Sequence, residues 1–313
     1  MDKAIKVKID QVLSEVNKVI LGKEKQVETI FATWLMGGHV LLEDLPGTGK
    51  TVLAKCFAKV CTLDFGRIQF TPDLLPSDII GTTIYNQETQ KFYFRKGALF
   101  SDFFLADEIN RATPRTQSAL LESMGERQIT VENRTTKLSD TFFVMATQNP
   151  IEQHGTFPLP EAQLDRFTIK LSLGFLTKNL ELQMIESQLQ HHPLEDLKPV
   201  LNQEEFLIIK KAVKEVNIDR SIIDYIIRIA EATRDHSQLK HGLSPRGTLA
   251  YSQLAQAYAI VQGRDHVIPA DVFELSIPVM AHRVVLTEDA QFEGEDSEKI
   301  LTEIVRSVRA PKV

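Results

Sequence analysis

Lys50 and Thr51 close the stretch HVLLEDLPGTGKT, residues 39–51, in which an apolar run ends in a small-residue turn. That order of residue types suits phosphate. Gly47 and Gly49 can take backbone angles closed to other residues, so successive N–H groups of the turn can converge on phosphate oxygens at the positive end of the following helix. Lys50 would then reach the β- and γ-phosphates of a nucleotide, and the Thr51 hydroxyl would ligate Mg²⁺. The strict spacing G-x-x-x-x-G-K-[ST] asks for Gly at position 44, where this chain has Asp44. Two neighbouring acids, Asp107 and Glu108, end a second apolar run. Adjacent carboxylates at the end of a buried strand are costly without a cation, which a Mg²⁺–nucleotide complex on the loop would supply. Asp107 can hold the Mg²⁺ shell while Glu108, pointing the other way on the strand, polarises a water for attack on the γ-phosphate. A third run ends on Gln148-Asn149-Pro150, and the amide of Asn149 could orient that water. A turn-forming Asn before Pro is the plainer alternative.

These groups need a scaffold that brings three strand ends together. His39–Leu42 reads as a strand, and the residues from Thr51 to Ala58 carry apolar positions at helical spacing, so the loop joins strand to helix. Further strands are expected at 67–70, 99–106, 141–147 and 168–173, with helices between them. That alternation predicts an α/β fold, a five-stranded parallel sheet covered on both faces. Before the loop, residues 4–19 form an amphipathic segment. Val27, Ile30, Phe31, Trp34 and Leu35 mark a helix with one buried face, closed by Gly37-Gly38. Between these lies an apolar knot, Val19-Ile20-Leu21-Gly22, which could grip a base or simply staple a helix start.

Two β-hairpins interrupt the alternation. One lies between Gly81 and Gly97 and turns at Asn86-Gln87-Glu88-Thr89; the other runs from Arg127 through a polar turn at Glu132-Asn133-Arg134. Tyr85, Phe92, Tyr93 and Phe94 of the first could cross-pair or grip a partner. Past about residue 175 strand signals vanish. Helices at about 178–190, 203–216, 221–237, 246–262 and 270–281 predict a separate helical domain, giving domains at 1–175 and 176–313. Arg166 ends a short helix after Pro158-Leu159-Pro160. Arg246 sits in the first turn of a helix opened by Ser244 and Pro245, where a cation opposes the dipole unless an anion or a surface acid compensates.

The whole chain, 313 residues with 43% hydrophobic and 25% charged residues, has the balance of an ordinary globular protein of about two domains. No apolar run approaches the roughly 20 residues of a membrane span. The start has no signal-peptide core, so a cytoplasmic protein is expected. Cys56 and Cys61 are expected to be buried and reduced. A net charge of −6 weighs against a nucleic-acid coat.

Taken together, DLPGTGKT, FFLADEINRATPRTQSALLESM, FFVMATQNPIEQHGTFPLPEAQLDRF and GLSPRGTLAYSQLAQAYAI resemble the MoxR family of AAA+ ATPases over about residues 10–285. The resemblance implies a P-loop domain with inserted hairpins followed by an all-α lid. It implies ATP and Mg²⁺ as cofactors, and a nucleotide site comprising Pro46, Gly47, Thr48, Gly49, Lys50, Thr51 and Val52, with Thr51 and Asp107 toward the metal. Lys50, Asp107, Glu108 and Asn149 match the Walker A, Walker B and sensor 1 residues. Arg166 stands in the place of the finger that reaches a neighbour's γ-phosphate, and Arg246 in that of the sensor 2 arginine, expected to couple the lid to the γ-phosphate of its own chain. Ile20, Leu21 and Gly22 match the segment that packs on adenine, and the hairpins match insertions that face the ring pore or the partner. A homo-oligomer, the family's hexameric ring, is implied, with chaperone-like remodelling of client proteins, often ones with von Willebrand A domains. The alternative from another class is a nucleic-acid motor or loader built on the same core.

Overall fold

The structure is a computed structural model that describes residues 2–131, 134–150, 155–191 and 193–312. In chain order, helices α1 (Lys3–Asn17) and α2 (Glu24–Met36) lead into strand β1 (Val40–Glu43), helix α3 (Lys50–Val60) and strand β2 (Phe65–Gln69). A short helix α4 (Pro76–Ile80) precedes the hairpin β3 (Gly81–Asn86) and β4 (Lys91–Lys96), which returns the chain to strand β5 (Phe103–Asp107). Helix α5 (Pro114–Glu126), the hairpin β6 (Gln128–Val131) and β7 (Arg134–Lys137), strand β8 (Phe143–Gln148), helix α6 (Glu161–Leu164) and strand β9 (Ile169–Leu171) complete the first part.

The sheet has the order β2-β5-β8-β1-β9 and every pairing in it is parallel. Its central strands β5, β8 and β1 are buried on both sides, and the period of two is visible in which core each residue joins. On β5, Phe103 and Leu105 join the apolar cluster on one face while Phe104 and Ala106 join that on the other. Because all strands run the same way, β1, β5 and β8 end at one edge, in register at Glu43 with Gln148. The loop, the two acids and Asn149 follow from those ends.

Both expected hairpins form. Asn86 makes the turn of the first, its Oδ1 accepting from the amides of Glu88 (2.9 Å) and Thr89 (3.0 Å). In the second, Glu132 and Asn133 of the expected turn lie outside the described residues. On the first hairpin Tyr85 and Phe92 pair across the strands with ring centroids 5.0 Å apart, and both stay exposed.

The second part holds α7 (Lys178–Gln190), α8 (Gln203–Val213), α9 (Arg220–Arg234), α10 (Pro245–Val261), α11 (Pro269–Met280), α12 (Glu288–Phe292) and α13 (Ser297–Ser307). It is not wholly helical: β10 (Leu239–His241) and β11 (Val285–Leu286), set between α9 and α10 and between α11 and α12, pair antiparallel. Three and two residues are too short to show alternation in a sequence. Nor is its core separate from that of the sheet. Trp34 on α2 lies 5.0 Å from Phe103 of the sheet and 4.6 Å from Phe206 of α8, ring to ring, and one cluster runs from α1 and α2 through α8 to α13. The indole N–H of Trp34 donates to the Thr141 carbonyl (2.7 Å), so the ring is satisfied where it is buried. Cys56 and Cys61 are buried and free in the same cluster, and burial pushes the Cys56 thiol up to about 12.

Candidate functional site

The loop after β1 has the backbone its glycines are needed for. Gly47 and Gly49 have φ of +84° and +90°, and a side chain built on either would meet no atom within 4 Å, so the cradle beside them is open. Gly49 caps α3, whose first residue is Lys50. Lys50 Nζ donates to the carbonyls of Asp44 (2.7 Å) and Leu45 (3.0 Å) at the base of the loop. Desolvation lowers its pKa, opposed by the charges of Asp44, Asp107 and Glu108.

Asp107 is the last residue of β5, and its Oδ1 accepts from the Thr147 hydroxyl at 2.7 Å. Glu108 is not on the strand, contrary to the sequence expectation. It takes the left-handed conformation (φ 56°, ψ 52°) as the chain enters a 3₁₀ turn, so its direction is set by a backbone reversal rather than by strand alternation. The Glu108 amide donates to Thr147 Oγ1 (2.8 Å), which fixes that reversal against β8. A strained backbone at a carboxylate beside a phosphate loop is where function is expected to hold it.

Two residues of β2 complete the cluster. Arg67 donates to Asp107 Oδ2 (2.8 Å), and Gln69 to Glu108 Oε2 (2.6 Å), which also accepts from Arg111 (2.9 Å). Sequence reading passed over Arg67, Gln69, Arg111 and Thr147. The available signal was a strand that places polar residues two apart, on one face, at its end. Asn149 is brought to the same pocket as Lys50, Thr51, Asp107, Glu108, Arg67 and Gln69, as expected, and is buried.

A second hollow adjoins the loop at Gly47, Thr48, Gly49 and Val52. Ile20 and Leu21 line it together with Val19. Gly22 does not: at φ +65° it packs under Leu180, where a Cβ would come within 2.3 Å of Leu180 Cδ1. The far wall, which the sequence did not reveal, comes from Gly174, Phe175 and Leu176 and from Met184 and Gln188 of α7. Apolar walls joined to a phosphate cradle fit a nucleotide with its base between the knot and α7. The hydroxyl of Thr51 and the carboxylate of Asp107, oxygen ligands in one pocket, fit a hard cation such as Mg²⁺.

A model of the ATPase family associated with various cellular activities (AAA) matches residues 39–169, and a model of the AAA lid domain matches residues 231–304. YeaC, an uncharacterised protein of Bacillus subtilis, is 47% identical, covering 97% of this chain and 95% of its own. Chaperone MoxR1 of Mycobacterium tuberculosis is 40% identical, covering 97% of this chain and 83% of its own. The chain belongs to the MoxR family of AAA+ ATPases. A solved structure agrees in fold: a candidate ATPase from Cytophaga hutchinsonii has a TM-score of 0.92 at 40% identity, covering 99% of this chain and 96% of that one. As a MoxR-type ATPase, the chain binds nucleotide.

The two arginines of this MoxR protein lie elsewhere. Arg166 and Arg246 line one pocket with Arg127 and Arg283, and among the described residues none lines both that pocket and the loop pocket. Topology accounts for the separation. Arg166 precedes β9 in a parallel sheet, so it sits at the edge where strands begin, whereas the loop follows the edge where they end. Arg246, expected to couple the lid to the phosphate of its own chain, thus lines the pocket of Arg166 rather than that of the loop. Ser244 caps α10 as expected, its Oγ accepting from the Gly247 amide (3.1 Å), but the acid near Arg246 is Asp165, at 3.8 Å. Asp165 also accepts from Arg283 (2.7 Å), which further donates to the carbonyls of Phe167 (2.7 Å) and Thr168 (2.8 Å) and thereby clasps the lid to the segment carrying Arg166.

Proposed function

We propose that this chain is a Mg²⁺-dependent ATP hydrolase that works as a closed homo-oligomeric ring, a hexamer in keeping with its family, and remodels client proteins in the cytoplasm. The observation that carries the reading is the division of the machinery. Cradle, acids and Asn149 share one pocket, while both candidate trans-acting arginines share another at the opposite edge of the sheet. A chain so divided completes its site only when a second copy presents Arg166 and Arg246, and a head-to-tail contact of that kind repeats into a ring.

In this assignment Lys50 and the loop amides hold the phosphates, Thr51 and Asp107 hold the metal, and Glu108 and Asn149 hold the attacking water. Bound Mg²⁺ would neutralise phosphate charge. Arg166 of the neighbour would meet the charge that develops on the γ-phosphate, an effect worth roughly 10³ to 10⁵ in rate where such arginines are used. Remodelling of clients, among them proteins with von Willebrand A domains, rests on the family and on the chaperone name that the mycobacterial relative carries.

Subunit mixing tests the reading. Lys50→Ala and Arg166→Ala should each be inactive alone, and a mixture should regain ATP turnover; a mixture as inactive as its parts would exclude the shared site. The nucleic-acid motor is tested by filter binding against salt. A remodeller of proteins should show little binding and no steep slope, whereas a motor would lose affinity steeply as phosphate contacts are screened.

A further inference from the structure

Position 44 is where the loop departs from the common pattern, with an acid in place of glycine. Glycine's freedom is not required there, because Asp44 is absent from the positive-φ residues. The main chain of Asp44 does what any residue could do: its amide donates to the Gln148 carbonyl (3.2 Å), and its carbonyl accepts from Lys50 Nζ (2.7 Å). Its side chain does something a glycine cannot. The carboxylate is buried and accepts from Ser172 Oγ (2.7 Å) and from the amides of Leu173 (2.6 Å) and Gly174 (2.9 Å). Those three residues are the turn by which the chain leaves β9. Gly174, at φ +62°, opens the run Gly174-Phe175-Leu176 that walls the second hollow, and Lys23 holds the middle of that run through the Phe175 carbonyl (3.0 Å).

We propose that Asp44 is a positioning residue that joins the two ends of the nucleotide site, its backbone serving the phosphate end through Lys50 and its carboxylate fixing the wall against which the base packs. The proposal rests on the reading of that hollow as the base pocket. Asp44 touches no phosphate in this role. It decides whether the base half of the site is built before the nucleotide arrives, so its removal should be felt by ligands that carry a base and not by those that lack one.

The test compares wild type with Asp44→Gly, which restores the common loop pattern, and with Asp44→Asn, which keeps the shape but puts an amide against donors. Without any ligand, hydrogen exchange at the amides of Leu173 and Gly174 should quicken in both variants. By calorimetry, affinity for ATP should fall about tenfold or more, in the range usual for coupling between two parts of a site, while affinity for tripolyphosphate should change by less than about threefold. Unchanged exchange at 172–176, or an equal loss for ATP and tripolyphosphate, would overturn the proposal in favour of a role confined to the loop. Tight binding of tripolyphosphate by the wild type with no gain from adenosine would instead overturn the base-pocket reading, and the proposal with it.

Discussion

Gln69 holds Glu108 from the neighbouring strand, its side-chain amide donating to Oε2 at 2.6 Å, and Arg111 shares the same oxygen. An oxygen engaged by two donors is a poorer acceptor for a water proton. Glu108→Gln should keep nucleotide affinity and lower turnover by about 10² or more, the usual worth of a general base. Gln69→Ala removes one donor and should raise turnover measured without client by roughly threefold to tenfold, as expected for one released hydrogen bond. Steady-state ATPase assays decide both, and a Gln69→Ala rate below wild type would mean that Gln69 orients Glu108 rather than restraining it.

Trp34 packs between the sheet at Phe103 and the lid at Phe206, so the two parts should unfold as one. Phe206→Ala should cost about 3–5 kcal/mol, the range for a buried aromatic truncated in a tight core. Denaturant unfolding followed by Trp34 fluorescence and by circular dichroism should give coincident transitions in both proteins. A lid transition that precedes loss of the sheet would refute the shared core.

Stability should fall on mild acidification. Burial, helped by the neighbouring charges of Arg127 and Arg283, pushes His39 and His282 down to about 3; His39 Nδ1 accepts from the Val144 amide, while the bond that His282 Nε2 donates to the Phe167 carbonyl opposes the shift. Between pH 3 and 6.5 the unfolded chain therefore binds more protons than the folded one, so stability rises with pH through that window and is lost as pH falls. Each histidine can contribute a slope of at most about 1.4 kcal/mol per pH unit. Denaturation midpoints at pH 7 and pH 5 should differ, and His282→Gln should reduce the difference. A wild-type midpoint independent of pH over this range would contradict the neutral, buried assignment.

Sheet and phosphate loop were legible in the sequence because both rest on local pattern: β5 and β8 are near-continuous apolar runs, and Gly47 and Gly49 need their left-handed angles whatever surrounds them. The clamp on the acids was not legible, since Arg67 and Asp107 are 40 residues apart and meet only through strand pairing. Glu108 was assigned the right pocket but the wrong backbone, because a left-handed non-glycine residue leaves no periodic trace. The base-side wall was missed for a related reason. Met184 and Gln188 lie on α7, which has no buried side chain among those described to betray a facing surface.

Arg246 offers the sharpest test of how the site is completed. Arg283 has only 3% of its side chain exposed and donates to three groups on the segment 165–168, and α10 packs on α2 in the common core, so Arg246 is carried rigidly with Arg166. A label near residue 120 and one near residue 255 should therefore keep the same separation with ATP and with ADP, because lid and sheet move together. Loss of the arginine should be repaired by a neighbour. In an equimolar mixture of Arg246→Ala and Lys50→Ala, an Arg246→Ala copy keeps its loop and meets an intact arginine whenever the adjoining copy is Lys50→Ala. Random assembly into a closed ring then restores about a quarter of the sites, and turnover should recover in that proportion if sites act independently. Were Arg246 to serve its own nucleotide, neither parent would hold a complete site and mixing would recover nothing.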